Sequence, residues 1–250
     1  VGSKVMVADE MQKWDTIGVD CIAMNVNDII CVGAEPLAFV DYLALENKMS
    51  TDKAEQIGIG LNKGAELANI SIIGGETASL PEIIRGFDLA GTCLGYVDKK
   101  KIITGVNVEV GDVIVGLRSS GIHSNGLTLA RKVFKNAGYS FHNPLPYSDS
   151  GITIGEALLE PTRIYVREVL HIIKKYEVHG LAHISGSGLR KIQRLPKKVE
   201  FEITNPFKPH EVFNAIQKVG KIELKEMRDT FNMGLGFCIV LYYAYGQSLL

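Results

Sequence analysis

The stretch "NVNDIICVGAEPLAFVDYLAL", residues 25–45, joins the end of a predicted helix to a predicted strand. It is mostly apolar, yet Asn27, Asp28 and Asp41 lie within it. An ionised carboxylate in a low-dielectric interior is very unfavourable unless another group pairs with it. Either a structural partner, or a metal ion together with a phosphate, must therefore compensate these acidic side chains.

The composition limits the classes of protein to consider. The chain has 250 residues, 46% of them hydrophobic and 22% charged, which is enough for one large domain or two ordinary ones. Lys and Arg number 27 against 28 for Asp and Glu, so no excess of positive charge indicates nucleic-acid binding. The apolar runs are interrupted well before the roughly 20 residues that a membrane-spanning helix needs, so we predict no membrane contact.

The cysteines indicate the compartment. The chain has four, far apart and in apolar runs, with no Cys-x-x-Cys pair among them: Cys21, Cys31, Cys93 and Cys238. Zinc binding is therefore not expected, and we predict buried free thiols in a reducing cytoplasm.

Hydrophobic periodicity predicts alternating helices and strands. The first part of the chain contains a helix capped by Asp15 or Thr16 that runs to about Cys31, a strand over 37–45, a helix from Ser50 or Thr51, a short buried strand over 71–76 and a strand over 87–97. After Val108 the pattern restarts, with strands over 112–119, 178–185 and 234–243 and helices over 127–138, 162–176 and 209–220. We therefore predict an α/β (α+β) protein with two α/β domains, residues 1–100 and 105–250, and we expect the start of the first to be truncated.

Acidic residues recur at positions that the helical and strand periodicities bring together. On the first helix, Asp20 and Asn27 project about 20° apart and Asp28 about 80° from Asp20, which makes one polar stripe. Asp41 lies in the middle of the next strand, and Glu76 follows two glycines at a strand end. Oxygen ligands with no His or Cys nearby suit a hard cation such as Mg²⁺.

A purely structural interpretation of the same residues stays open. In it, the carboxylates belong to a buried polar network, and Asp20 or Asp28 pairs with Lys4 or caps backbone groups. Spaced carboxylates alone do not choose between a metal site and this network.

The segment "RSSGIHSNG", residues 118–126, has the composition of an anion-binding loop. Its glycines allow tight bends, and a helix follows at once, so free backbone N–H groups point into the loop. His123 can add positive charge or move a proton. We predict a phosphate site here, whereas the alternative is an ordinary capped turn between a strand and a helix.

Other motifs are informative mainly by what they lack. "HISGSG" (183–188) and "FNMGLG" (231–236) do not complete Gly-x-Gly-x-x-Gly, and no Walker-type nucleotide loop is present. Any use of ATP must therefore follow an uncommon route. Arg163, in "EPTRIY", can reach a phosphate.

Several motifs together closely resemble the phosphoribosylformylglycinamidine cyclo-ligase (aminoimidazole ribonucleotide synthetase) family. In chain order they are "VGSK" (1–4), "WDTIGVDCIAMNVNDIICVGAEPLAFVDY" (14–42), "GGETASLP" (74–81), "SSGIHSNG" (119–126), "PTRIYV" (161–166), "HISGSG" (183–188) and "TFNMGLG" (230–236). The resemblance covers nearly the whole chain. The alternatives are other ATP-using members of the same superfamily, namely thiamine-monophosphate kinase, selenophosphate synthetase or an amidotransferase-like protein, or a nucleotide-binding module without turnover.

The resemblance implies an ATP-dependent ligase of purine biosynthesis that forms a C–N bond. Formylglycinamidine ribonucleotide and ATP give 5-aminoimidazole ribonucleotide, ADP and phosphate, with Mg²⁺ required. It also implies a homodimer in which strands of the first domain pair into a barrel. No nucleic acid is involved.

The resemblance also implies roles for individual residues. Lys4 is expected to meet the ATP phosphates and take part in catalysis, and Asn27 and Asp28 to bind the nucleotide. Asp41 and Glu76 are expected to line the same cleft and to share the metal with Asp28. His123 and His183 are candidates for proton transfer. The predicted substrate and phosphate contacts are Ser119, Ser120, Gly121, His123, Ser124, Asn125 and Arg163.

Overall fold

The computed structural model describes residues 1–195 and 199–246, and its strands form two three-stranded sheets. The first sheet has the order β2-β1-β3, with β1 parallel to β2 and antiparallel to β3. Its strands are β1 (Glu35–Leu45), β2 (Ser71–Ser79) and β3 (Phe87–Tyr96). The three strands predicted for the first part of the chain are therefore present.

Three helices belong to this part of the chain, and the second of them packs against the sheet and against the other two. They are α1 (Lys4–Met11), α2 (Ile17–Ile29), which a short 3₁₀ turn extends to Val32, and α3 (Thr51–Ala68). The Ser50 side chain caps α3 by accepting a hydrogen bond from the backbone N of Lys53 at 3.3 Å. A Cβ on Gly18 would lie 2.2 Å from the backbone N of Leu61, so glycine is what lets α2 and α3 approach this closely.

The two faces of the first sheet differ in burial. Phe39, Leu43 and Leu45 point towards the helices and are buried. Neighbouring residues on the opposite face, such as Val40 and Tyr42, are exposed. The predicted buried strand over 71–76 is wrong in its burial, because β2 is an edge strand whose residues 71–77 are exposed.

The second sheet lies in the second half of the chain and is entirely antiparallel, in the order β4-β6-β5. Its strands are β4 (Val113–Arg118), β5 (Val178–His183) and β6 (Leu235–Leu241). The accompanying helices are α4 (Leu127–Asn136), α5 (Ile154–Leu159), α6 (Val166–Lys175), α7 (Glu211–Gly220), α8 (Leu224–Thr230) and α9 (Tyr243–Gly246). A 3₁₀ segment, Gly188–Arg194, follows β5.

The hydrophobic core continues between the two halves. One cluster of buried side chains includes Phe39 and Leu89 of the first sheet together with Tyr165 and Phe237 of the second half. A smaller cluster, which includes Val240, covers the other face of the second sheet. The division into domains 1–100 and 105–250 stays a prediction, and residues 247–250 of the second lie outside the described part.

Two further observations concern the helices and the cysteines. Within the described residues, no helix combines the length and the apolar character that crossing a membrane requires. The four cysteines are free thiols.

Candidate functional site

The first turns of α1 and α2 bring two opposite charges together in the interior. Lys4 and Asp20 are both fully buried, and the Lys4 Nζ lies 2.8 Å from the Asp20 Oδ2. Lys4 also donates a hydrogen bond to the backbone O of Glu160 at 2.7 Å. This is the pairing that the structural interpretation of the sequence allowed. The prediction that Lys4 contacts ATP phosphates is not supported, since its ammonium is enclosed and engaged.

The other oxygen of Asp20 binds two segments of the second half. The Asp20 Oδ1 accepts hydrogen bonds from the Thr162 backbone N at 2.8 Å, the Thr162 Oγ1 at 2.6 Å and the Ser124 Oγ at 3.0 Å. Ser124 and Thr162 also contact each other, with 3.0 Å between their hydroxyl oxygens. Lys4, Asp20, Ser124 and Thr162 are hereafter the Lys4–Asp20 network.

Asn27 lies further along the same stripe of α2 and holds the same segment. Its Nδ2 donates to the backbone O of Arg163 at 2.8 Å, and its Oδ1 accepts from the backbone N of Tyr165 at 3.0 Å. The helix predicted from residue 162 therefore starts only at Val166, because α2 holds the preceding backbone in a non-helical conformation. The buried Asn27 amide is engaged within the protein, which does not support the predicted nucleotide contact.

A buried asparagine shapes the predicted phosphate loop. The Asn232 Oδ1 accepts hydrogen bonds from the Ser119 Oγ at 3.0 Å and the Gly234 backbone N at 2.8 Å, and its Nδ2 donates to the Gly121 backbone O at 2.9 Å. The Ser120 Oγ donates to the Pro161 backbone O at 2.5 Å. This role of Asn232 was not predicted from the sequence. Its position two residues before Gly234, the first glycine of "FNMGLG", was the available signal.

His123 lies inside this loop and keeps one ring nitrogen without a partner. It is 1% exposed, with a left-handed backbone at φ 60°. Its Nε2 accepts a hydrogen bond from the backbone N of Ser120 at 3.3 Å, so the proton of the neutral ring lies on Nδ1, which has no partner among the described residues. Burial, followed by the charges of His183 and Lys4, holds the His123 pKa well below its ordinary value of 6.5.

His183 complements His123 because its unpartnered nitrogen is an acceptor. The ring is 3% exposed, and its Nδ1 donates to the Asp28 Oδ1 at 2.9 Å. Its Nε2 is buried and has no partner among the described residues. Since an ionised carboxylate only accepts, the hydrogen bond fixes the neutral tautomer in which Nε2 carries the lone pair.

The Asp28 side chain is 65% exposed and lies in the last turn of α2. Partial burial acts to raise its pKa, but the hydrogen bond and charge of His183 and the charges of Lys191 and Arg194 outweigh burial and lower it. Asp28 is therefore ionised at neutral pH. A negative charge at the C-terminal end of a helix opposes the helix dipole, so this position does not serve helix stability.

The three predicted metal ligands do not form one site. The Asp41 side chain lies on the inner face of the first sheet, where a Cβ on Gly75 would be 2.4 Å from its Oδ1, and burial raises the Asp41 pKa. Glu76 pairs with Tyr42, one position further along β1, and so points to the outer face. Among the described residues there is no group of three or more His, Cys, Asp or Glu side chains that could hold a metal ion. Magnesium bound jointly by Asp28, Asp41 and Glu76 does not fit.

An open groove of about 440 Å³ lies where the phosphate loop enters α4. Its polar lining comes from Ser3, Ser124, Asn125, Thr128, Lys132 and Thr230. The N-terminal backbone groups of α4 and the Lys132 ammonium favour an anion in this groove. Arg163, in contrast, donates to the Arg118 backbone O at 3.2 Å and to the Glu168 carboxylate at 2.9 Å, so its guanidinium is already engaged.

The sequence models of one family match both halves of the chain. AIR synthase related protein, N-terminal domain, matches residues 1–97, and AIR synthase related protein, C-terminal domain, matches residues 109–241. The fold and these matches define the class of the protein as AIR synthase related.

Named relatives narrow the class to a family. The phosphoribosylformylglycinamidine cyclo-ligase of Methanosarcina mazei is 61% identical over 241 residues, covering 96% of this chain and 71% of the relative. The protein of the same name from Methanosarcina acetivorans is 60% identical over 241 residues, with the same coverage of 96% and 71%. The chain belongs to the phosphoribosylformylglycinamidine cyclo-ligase family, as the sequence motifs predicted.

Solved structures of more distant proteins share the fold. Hydrogenase maturation protein HypE superposes with a TM-score of 0.65 at 18% identity, covering 93% of this chain and 67% of HypE. Thiamine monophosphate kinase from Aquifex aeolicus superposes with a TM-score of 0.60 at 16% identity, covering 91% of this chain and 72% of the kinase. The predicted α/β class is thereby confirmed.

Proposed function

We propose that this chain catalyses the ring closure for which its family is named. Formylglycinamidine ribonucleotide and ATP give 5-aminoimidazole ribonucleotide, ADP and phosphate, a C–N bond-forming step of purine biosynthesis. The observation that carries the proposal is 61% identity over 96% of the chain to a phosphoribosylformylglycinamidine cyclo-ligase. The free thiols and the reaction together favour the reducing cytoplasm.

The groove at the start of α4 is the proposed site for the 5′-phosphate of the substrate. It offers hydroxyl donors, the Asn125 amide, the helix N-terminus and the charge of Lys132. A dianionic phosphate is stabilised by such donors without a metal ion. The Ser119 and Ser120 hydroxyls donate to Asn232 and Pro161, so in our proposal they shape the loop rather than bind the phosphate.

The two histidines have different roles in this proposal: one accepts a proton and the other donates a hydrogen bond. Phosphorylation by ATP turns the formyl amide oxygen into a phosphate leaving group, which the amidine nitrogen then displaces as the ring closes. The Nε2 of His183, oriented by Asp28, is the base that takes the proton from this nitrogen. The neutral His123 offers its Nδ1–H as a hydrogen-bond donor to the oxygen that receives the phosphoryl group.

Asp28 is the one predicted metal ligand of this chain that we retain for magnesium and nucleotide. Its carboxylate is exposed, and Lys191 and Arg194 lie within electrostatic reach of it. Magnesium, when bound with ATP, would supply charge neutralisation on the phosphates. Asp41 and Glu76 are set aside because their side chains point to opposite faces of the first sheet.

The outer face of the first sheet is the proposed homodimer surface. Val40 and Tyr42 on β1 are 38% and 43% exposed, and Leu94 and Tyr96 on β3 are 65% and 58% exposed. Contiguous apolar surface of this kind is uncommon on monomers. A second copy of the chain would cover it and could close the two sheets into the barrel that the family resemblance implies.

Product analysis tests the proposal. The full-length protein is mixed with Mg-ATP and formylglycinamidine ribonucleotide, and ADP and the diazotisable aminoimidazole are assayed. Equal amounts of ADP and imidazole are expected. ADP without imidazole would indicate a kinase relative, and neither product would indicate a nucleotide-binding module without turnover.

A further inference from the structure

The Lys4–Asp20 network couples the helices of the first half to two loops of the second. One charged pair, 2.8 Å apart and fully enclosed, supplies contacts to residues 124, 160 and 162. Burying two charges is strongly unfavourable, and an apolar pair of similar size is often at least as stable. We therefore expect the Lys4–Asp20 pair to matter for the positions of the loops it contacts rather than for the free energy of unfolding.

The geometry that the network fixes is that of the proposed substrate site. Ser124 follows His123 directly and lines the groove at the start of α4. Thr162 directly precedes the backbone segment 163–165. Asn27, which lies two turns after Asp20 on α2, forms hydrogen bonds with this segment. One stripe of α2 side chains thus forms hydrogen bonds with both loops. Within this stripe, Asp20 lies at the end of the helix opposite to Asp28.

We propose that Asp20, with its charge balanced by Lys4, is a positioning residue that sets the affinity for formylglycinamidine ribonucleotide. It acts through Ser124 and Thr162, because its own carboxylate is fully buried, with one oxygen accepting their hydrogen bonds and the other lying beside Lys4. A carboxylate that accepts three hydrogen bonds from two loops fixes the distance between these loops. This inference rests on the proposed function, in which the 119–126 loop contacts the substrate phosphate.

The clean perturbation is Thr162→Val in the full-length protein. Valine has the shape of threonine but lacks the hydroxyl that donates to Asp20 at 2.6 Å, while the backbone donor remains. We expect the KM for formylglycinamidine ribonucleotide to rise roughly tenfold, since a hydrogen bond to a charged group is lost. The KM for ATP should stay unchanged. Thr162→Ser keeps the hydroxyl and should restore the wild-type KM.

Thr16→Val is the matched control. Thr16 is 8% exposed, lies at the start of α2, and its Oγ1 has no hydrogen-bond partner among the described residues. This variant loses a buried hydroxyl without touching the network, so both KM values should match wild type. Asp20→Asn is less suitable, because it leaves the Lys4 charge buried without its partner.

Two results would overturn the inference. One is a Thr162→Val protein with a lower unfolding midpoint but wild-type KM for both substrates, since the network would then act on stability alone. The other is an equal rise in both KM values, because positioning of the substrate loop predicts a selective rise.

Asn125→Ala separates a failure of the inference from a failure of the proposed substrate site. Asn125 lines the groove and takes no part in the network. If Asn125→Ala raises the KM for formylglycinamidine ribonucleotide while Thr162→Val does not, the positioning role is wrong and the substrate site stands. If neither variant changes this KM, the substrate site itself is wrong.

Discussion

Replacing His123 should change how the stability of the protein depends on pH. The buried ring has a pKa well below 6.5, so the folded protein excludes a proton that the unfolded chain accepts below about that pH. Stability rises with pH wherever the unfolded state binds more protons. His123 therefore makes the protein less stable as the pH falls below about 6.5, and its effect is small above it.

The expected size follows from the unfolded-state titration. If the folded ring stays neutral, lowering the pH from about 6.5 to about 5.5 costs about 1 kcal/mol of unfolding free energy for this one group. His123→Asn removes the titration, and asparagine tolerates the left-handed backbone at φ 60°. The variant should lack this part of the pH dependence, whatever its absolute stability.

Urea unfolding of both proteins at several pH values measures the difference. His171→Asn is the matched control, because His171 is an exposed histidine on α6, and its removal should leave the wild-type pH dependence in place. If His123→Asn unfolds with the same pH dependence as wild type, then His123 takes up its proton in the folded state. Its assignment as a neutral donor would then be wrong.

Three further predictions address the base, the packing beneath the site and the dimer. Asp28→Asn should lower kcat by roughly a hundredfold, because the amide no longer fixes the His183 tautomer, and should barely change the urea midpoint; wild-type turnover and magnesium dependence would contradict this role. Gly236→Ala should lower the unfolding free energy by about 1–3 kcal/mol, because its Cβ would lie 1.8 Å from the Tyr165 Oη. Adding Tyr165→Phe should recover part of that loss, and no recovery would show that the clash lies elsewhere. Tyr42→Lys should give a monomer in light scattering, whereas an unchanged mass would exclude the outer sheet face as the dimer surface.

The elements that sequence periodicity predicted well are those whose burial is set within one segment. The strand over 37–45 and the helix from Ser50 were predicted because alternation, helical spacing and a capping residue are local signals. The helix predicted from residue 162 started too early, because Asn27 and Asp20 hold that backbone from 135 or more positions away. Such a contact leaves no periodic trace in the sequence.

The loops of the candidate site could be predicted from the sequence, whereas it was harder to predict which side chains pair with one another. The glycines and hydroxyl side chains of the 119–126 segment indicated a binding loop, and the structure places His123 and a polar groove there. The helical projection put Asp20 and Asn27 on one stripe, yet it left open whether Asp20 or Asp28 pairs with Lys4. That choice depends on where α1 packs, and the short α1 was not predicted.

The charges of the acidic residues in apolar segments are compensated in different ways. This difference distinguishes residues with a structural role from a residue that is available to a ligand. Asp20 is fully enclosed and has its counter-charge in Lys4, so it has no capacity left for a cation. Burial raises the pKa of Asp41, and no cation in the described part of the chain lowers it. Asp28 alone of the three combines an exposed, ionised carboxylate with an imidazole whose other nitrogen is buried and has no partner within residues 1–195 and 199–246. A carboxylate paired in a closed interior leaves no access for a ligand, so the exposure of the charge, rather than its apolar sequence context, is the property on which we base the proposed role of Asp28 towards magnesium and nucleotide.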